Sequence, residues 1–332
     1  MQVVVNSLPT RTWNHLGMNE AVIDLDGAYP EKFPENAQRQ AQVPAEKDSA
    51  LAPLLGSEAA LVETEKNQNM DTPAVLRISS AKGERSSTRI SLHAGENSVL
   101  KALILLEGEQ NGEEQLLVQT QIQADRNAKV QLYAVQLVSR SGLCVHELLG
   151  TCQEGAEIVL TDLELGAKNL YSDIHMDLLG KESSFRGEIG YHAKPGQKLD
   201  FNYVAVHEGK KTQSQLEVNG TLEEKARKLF RGTIDFRKGC AGAKGDEHEN
   251  VLLMADDLVN QTLPVILCKE EDVEGNHGAS IGQLDEKILF YLASRGIPLE
   301  EAQQLIAQAR IEAICNKIPL DDVKEKIHAF RR

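Results

Sequence analysis

Several groups of side chains in this sequence are of types that could do chemistry. Cys268, Glu274 and His277 lie close together near the C-terminal end. A thiolate and an imidazole at short range could hold iron or an iron–sulfur species. Spacing alone does not separate that from a histidine packed at the end of a strand stack, where Gly275 and Gly278 would allow a tight turn into a helix. Asp173, His175 and Asp177 alternate in YSDIHMDLL, so a strand would carry all three on one face. Such a set could ligate a metal. Its ordinary reading is a solvated outer face, with Ile174 and Met176 turned inward. The run Asp246–Glu249, DEHE, reads as an acidic surface loop. Cys240, in RKGCAGAKG, reads as a flexible-loop thiol whose exposure would make it reactive.

The elements that must position these groups are mostly strands. From residue 73 to 280, short apolar runs recur at intervals of about ten residues, separated by Gly, Asn and Lys. Examples are SVLKALILLEG, KVQLYAVQLV, AEIVLTDLELG and FRGTIDF. A sandwich or a solenoid would fit that spacing. One detail favours the solenoid: Val130 and Leu132 give way to Val135 and Leu137, and Ile158 and Leu160 to Leu163 and Leu165. Each time the alternation slips by one residue, as at a bulge or the corner of a coil. FRG also recurs, at Phe185–Gly187 and Phe230–Gly232, which would suit two turns of roughly 20 to 25 residues each.

On either side the pattern changes. Residues 1–72 read as a helical or irregular segment, with helix near Ser57–Glu65, and a Pro-, Ala- and Gln-rich linker. In residues 281–332 the period becomes helical. Leu284, Ile288, Tyr291 and Leu292 share one face, and Gly296 and Pro298 separate that helix from the next. Ala302, Ile306, Ala309 and Ala313 line the second helix, and a third follows Pro319.

Composition excludes several classes. A net charge of −14 opposes nucleic-acid and anionic-membrane binding. Aromatic residues are 4%, too few for base-stacking platforms. No apolar run has the roughly 20 residues of a membrane span. MQVVVNSLPTRTW lacks the basic start and apolar stretch of a secretory leader. Five scattered cysteines without CxxC suit neither a disulfide framework nor structural zinc. The expected location is therefore cytoplasmic. GxxxxGK[ST], GxSxG and HExxH are absent, as is a strand-borne GxGxxG, so no catalysis by the chain itself is expected.

NHGASIGQLDEKILFYLASRGIPLEEAQQLI, Asn276–Ile306, resembles the C-terminal signature of the SufB/SufD family of iron–sulfur cluster assembly proteins. FRGTIDF, NVLLMADDLVNQTLP and EEDVEG upstream fit it too, and TWNHLGMNEA resembles the opening of short SufD-like members. The resemblance implies a mainly β protein, a right-handed parallel β-helix with helical terminal parts. It implies a SufC-type ABC ATPase docked on the C-terminal helices and a SufB-type paralogue paired through the β-helix. The ATPase would supply a closing movement that the stiff coil carries to the pairing edge. SufB-type proteins carry a cysteine where this chain has Leu258 and a glutamate where it has Gly278, so the resemblance is to SufD. Gly275 stands where some relatives have a cysteine. His277 would then be the ligand offered to a transient cluster or its iron, with Cys268 a weaker participant and no cofactor held stably by the isolated chain. Arg295, Glu300 and Gln304 would face the ATPase, while Leu284, Ile288 and Leu292 would be core. The alternatives are a self-associating structural homodimer and a carbohydrate-active β-helix enzyme using Asp173 and Asp177.

Overall fold

The computed structural model describes every residue except Trp13, Asn36, residues 41–48, Gln110, Asp285, Arg332 and the side chain of Glu286. The short apolar runs become strands that stack in parallel. After an antiparallel pair, β1 (Gln2–Val5) and β2 (Ala21–Asp24), and a short β3 (Gln38–Gln40), the coil begins at β4 (Ala59–Thr64). There follow β5 (Ala74–Ser80), β6 (Arg85–Ala94), β7 (Val99–Gly108), β8 (Gln115–Ala124), β9 (Lys129–Leu137) and β10 (Leu143–Cys152). The chain continues through β11 (Glu157–Glu164), β12 (Asn169–Leu178), β13 (Ser184–Ala193), β14 (Lys198–His207) and β15 (Gln213–Leu222). It ends in β16 (Arg227–Phe236), β17 (Ala243–Leu253), β18 (Val259–Cys268) and β19 (Val273–Gly282), then α1 (Glu286–Ser294), α2 (Leu299–Cys315) and α3 (Asp321–Arg331).

Even-numbered strands from β4 to β18 join β3 in a nine-stranded sheet, and odd-numbered ones from β5 to β19 form an eight-stranded sheet. The molecule is thus a parallel β-solenoid. Each turn takes about 30 residues, as between Asn97 and Asn127, whose side chains hydrogen-bond at 3.0 Å. That is longer than the FRG spacing suggests. Phe185 lies on β13 and Phe230 on β16, in different sheets, so the two FRG runs are not equivalent turns.

One corner of the coil is a ladder of left-handed residues. Asn67, Asn97, Asn127, Gly155, Glu182, Lys211 and Gly242 all have positive φ. The backbone N–H of each donates to a carbonyl one turn on, for example Asn97 to Arg126 and Glu182 to Lys210, both at 2.9 Å. Asparagine and glycine tolerate this backbone. Glutamate and lysine are held there by the stack.

The slips in alternation have a different cause from the one expected. Strands β9 and β11 run straight through them. Val130, Leu132, Ile158 and Leu160 face the space between the sheets. Val135, Leu137, Leu163 and Leu165 face outward and are buried beneath the C-terminal helices, with Leu103 and Leu105 of β7. A strand covered on both faces shows apolar residues at both parities. The slips therefore mark covered strands and not corners.

Ile311, Ile314, Cys315, Ile318, Val323 and Ile327 fill that outer face. Helices α2 and α3 fold back over the middle of the coil, tied by Lys326 to Glu107 at 2.5 Å and by Arg77 to Asp322. The buried face of α2 is Ala302, Ala307, Ile311, Ile314 and Cys315, whereas Ala309 and Ala313 are exposed. Packing on a strongly apolar strand surface decides the face, and the small alanines are left outside.

The N-terminal segment covers the opposite sheet. Val3, Val5, Ile23, Leu25 and Leu51 pack on Leu117, Val145 and Tyr171. The segment expected to be helical or irregular carries the strand pair β1–β2 and, among its described residues, two 3-10 turns, Asn14–Leu16 and Ala52–Leu54, with irregular chain between. The helix expected near Ser57–Glu65 is β4, which pairs with β6 from Ala60 beside Ile90 onward. Sheet pairing overrides the helix preference of Ala, Leu and Glu there.

Candidate functional site

Both sheets stop at consecutive strands, β18 and β19, whose outer edges pair with no further strand among the described residues. A parallel edge of this kind exposes a row of unpaired N–H and C=O groups, a template for another chain. In the last turn the positions that are inward elsewhere lie open. His277 is exposed, Ile281 is 45% exposed, and Thr262, Pro264 and Ile266 are half-buried.

His277 lies in the middle of β19, beside Glu247 of β17. It is not in a strand-to-helix turn. Neither Gly275 nor Gly278 has positive φ among the described backbone. Their lack of a side chain serves close packing instead. A Cβ on Gly275 would come within 2.9 Å of the Phe236 ring, and one on Gly278 within 2.8 Å of His248 Nδ1.

The interior beneath His277 is charged. Lys228 Nζ meets Glu249 Oε1 at 2.5 Å with both side chains essentially buried. Thr262 Oγ1 donates to Glu249 Oε2 at 2.6 Å, and Tyr191 Oη to Glu249 Oε1 at 3.2 Å. Burial, with Glu249 nearby, pushes the Glu247 carboxyl up to about 8. Burial therefore favours the protonated form of Glu247, whose backbone stands next to His277 in the register of β17 and β19.

Glu247 and Glu249 come from the DEHE run, expected as a surface loop. It is the centre of β17, with Glu247 and Glu249 buried and Asp246 and His248 facing out, 2.9 Å apart. The signal lay in strand parity. In RKLFRGTIDF, Phe230, Ile234 and Phe236 share Lys228's parity, so Lys228 must turn inward and needs an acidic partner.

Cys268 ends β18 beside Phe236, is exposed, and its thiol donates to the Glu270 carbonyl at 3.0 Å. A side chain at Gly275 would meet Phe236 and Ile266. Among the described residues Cys268, Glu274 and His277 do not converge as a three-ligand set. Cys240 is buried with Ile234, Phe236 and Ala243, and burial raises its thiol, so it is not the exposed loop thiol expected. The loop is a tight turn whose cysteine plugs the end of the core.

Asp173, His175 and Asp177 do share the outer face of β12, with Ile174 and Met176 inside. They are half-buried rather than solvated, because the N-terminal segment lies over them. They line a cleft of about 630 Å³ with Asn6, Asn202 and Arg237. His175 Nε2 lies 3.1 Å from Asp177 Oδ1, and Asn202 donates to Asp173 Oδ1 at 3.0 Å. Burial and the neighbouring Glu147 push Asp173 up to about 7. The set is tied up within the sheet, and its ligand atoms do not converge as a metal site.

After the open end the chain enters α1, whose apolar face is largely uncovered. Ile288 is 49%, Phe290 76% and Tyr291 56% exposed, with Leu299 and Leu305 exposed beyond them. Leu284 and Leu292 are half-buried. The face expected as core is therefore in good part surface. Arg295, Glu300 and Gln304 are exposed as expected, and Arg295 lies 5.1 Å from the centre of the Tyr291 ring. No helix among the described residues is long and apolar enough to cross a membrane.

Comparison with known proteins fits this architecture. The family model described as SUF system FeS cluster assembly, SufBD core domain, matches residues 76–310. An iron–sulfur cluster assembly protein SufD of Bacillus subtilis is 28% identical over 179 residues, 54% of this chain and 38% of the relative. A SufBD family protein of Staphylococcus epidermidis is 24% identical over 168 residues, 51% of this chain and 36% of the relative. A SufBD family protein of Mycobacterium leprae is 28% identical over 138 residues, 42% of this chain and 15% of the relative. The chain thus spans well under half the length of these relatives. With the core-domain match extending over most of its length, the chain belongs to the SufBD family of the iron–sulfur cluster assembly system.

Proposed function

We propose that this chain is a SufD-type scaffold subunit of an iron–sulfur cluster assembly complex, without catalysis of its own. A SufB-type paralogue pairs with the open end of the coil, and a SufC-type ATPase docks on α1 and the start of α2. His277 faces the paralogue and touches the nascent cluster or its iron, which is cargo and not a resident cofactor. Arg295, Glu300 and Gln304 are contacts at the ATPase surface, and Cys268 is at most an accessory thiol.

The observation that carries this reading is one juxtaposition. Two unpaired strand edges, an exposed imidazole over a charged interior and an uncovered apolar helix follow one another in a single stretch from Val259 to Leu305. A stiff solenoid could pass a movement applied at the helix to the pairing edge.

Co-expression with SufB- and SufC-type homologues of the same host tests it. A three-component complex is expected, with Phe290→Ser plus Ile288→Ser losing the ATPase alone. His277→Ala should lower bound iron without altering the circular dichroism or melting of this subunit. Unchanged iron loading would reduce His277 to a structural residue. The bare edges also support a second reading, a homodimer joined end to end. That reading predicts a dimer of the isolated chain that persists when the paralogue is added.

A further inference from the structure

A second ligand set lies far from the open end. Glu312 and Cys315 are three residues apart on α2, so they share one face. His328 of α3 lies against that face. One ligand atom from each converges with the others within 4.8 Å. His328 Nε2 is 3.1 and 3.3 Å from the Glu312 carboxylate oxygens, and Cys315 Sγ is 4.0 Å from the same nitrogen.

We propose that Glu312, Cys315 and His328 form a binding site for a divalent transition metal ion of the zinc or iron(II) class. Zinc sits about 2.3 Å from sulfur and about 2.0–2.1 Å from nitrogen and carboxylate oxygen. Tetrahedral angles then put sulfur about 3.6 Å from nitrogen, and nitrogen about 3.4 Å from oxygen. The observed nitrogen–oxygen separations fall slightly short of the one value and the sulfur–nitrogen separation slightly exceeds the other, so small side-chain rotations admit the ion. A thiol donating to an imidazole would gain little at 4.0 Å, whereas 4.0 Å is close to the span of two ligands on one ion.

The surroundings fit a built site. Arg331 NH1 lies 3.4 Å from Glu312 Oε2, and Arg331 NH2 donates to the Gln308 carbonyl at 3.1 Å. With Glu312 Oε1 on the metal, Arg331 holds the other oxygen and orients the carboxylate, the usual outer partner of a ligand. Binding releases the Cys315 thiol proton and shifts the imidazole proton to Nδ1, so a dication meets one thiolate, one carboxylate and a neutral histidine. A shallow cleft of about 370 Å³ opens at Glu312 and His328. The fourth coordination position therefore faces solvent, as in sites that exchange a ligand rather than closed structural ones. The set spans α2 and α3, so an ion would clamp the helical pair.

Cobalt(II) titration of the full chain reads the site directly, with Cys268→Ser as background to remove the exposed thiol. The expected result is one equivalent bound, with a thiolate-to-cobalt charge-transfer band that zinc abolishes. Cys315→Ser should remove that band, and His328→Ala should weaken binding by more than about 100-fold. Arg331→Gln should cost about 10- to 100-fold. Circular dichroism confirms that each variant folds. A chain that binds no cobalt, or a band that survives both Cys315→Ser and His328→Ala, overturns the proposal and leaves a His–Glu–Arg polar cluster.

Discussion

The middle of the solenoid and its C-terminal end use similar strands in one continuous register, yet the middle is covered on both outer faces and the end is not. Around β7 to β11 the interior is largely Leu, Ile, Val and Ala, and both outer faces are covered, one by α2 and α3 and the other by the N-terminal segment. At β16 to β19 the interior carries Lys228, Glu247 and Glu249, and the last strands are bare. The end still buries Phe230, Ile234 and Phe236, but its last two strands lie open beside a buried ion pair.

The sharpest way to break that contrast is to damage the charged interior. Lys228→Met leaves Glu249 buried without its cation, and this should destabilise by about 3–5 kcal/mol. Adding Glu249→Leu should recover much of the loss, because the burial of both charges is removed together. Chemical denaturation of the single and double variants measures it. Equal stability of Lys228→Met and the parent would mean that the end tolerates a lone buried charge, and the comparison would fail.

The covered middle gives the next largest effect. Leu163 is buried between β11 and the helices. Leu163→Ala should cost about 2–5 kcal/mol by loss of apolar contact and the cavity left behind. It should also loosen α2 and α3, visible as faster amide exchange there. A loss confined to the helices, with the strands unaffected, would show that the helical pair melts as its own unit.

Buried carboxyls in both regions make stability depend on pH. Glu247 is raised from its ordinary 4.5 to about 8 when folded. Between those values the folded chain holds a proton that the unfolded chain has released, so stability falls as pH rises through this window. The contribution is intact below the lower value and lost above the upper one. Asp162 and Asp173, each pushed up to about 7 by burial, bend the curve in the same direction. Glu247→Gln should stabilise by on the order of 2 kcal/mol near pH 9 and little near pH 5. A parallel offset at both pH values would mean that the residue acts through packing and not through its proton.

Much of this contrast was legible in the residues, though unevenly. The strand content and the helix boundaries around Gly296 follow from apolar period and turn residues. The solenoid was reached through slips at Val135 and Leu163 that turned out to mark doubly covered strands. Parity alone cannot distinguish a bend from a second buried face. Asn67, Asn97 and Asn127 are readable as left-handed corner residues, but Glu182 and Lys211 do the same duty only because the stack imposes it. Local composition hid the DEHE run, since four polar residues look like a loop until the register places two of them inside. His277 stands out by the signature around it, whereas Glu312 and Cys315, three apart on one helix, gain a third partner only when α3 folds His328 against them.

The smallest effects test the bare end and the helix beyond it. Ile281 is 45% and Phe290 76% exposed, so truncating either removes little buried apolar area. Ile281→Ala and Phe290→Ser should each leave the stability of the isolated chain within about 0.5 kcal/mol. A patch of this kind is costly to leave in water, and under the proposed function a partner's surface covers it together with the strand edges. The isolated chain should therefore gain solubility from Phe290→Ser while its melting temperature holds. If Phe290→Ser instead lowers the melting temperature by as much as Leu163→Ala does, α1 is packed in solution. The distinction between a covered middle and an uncovered end would then stop at β19.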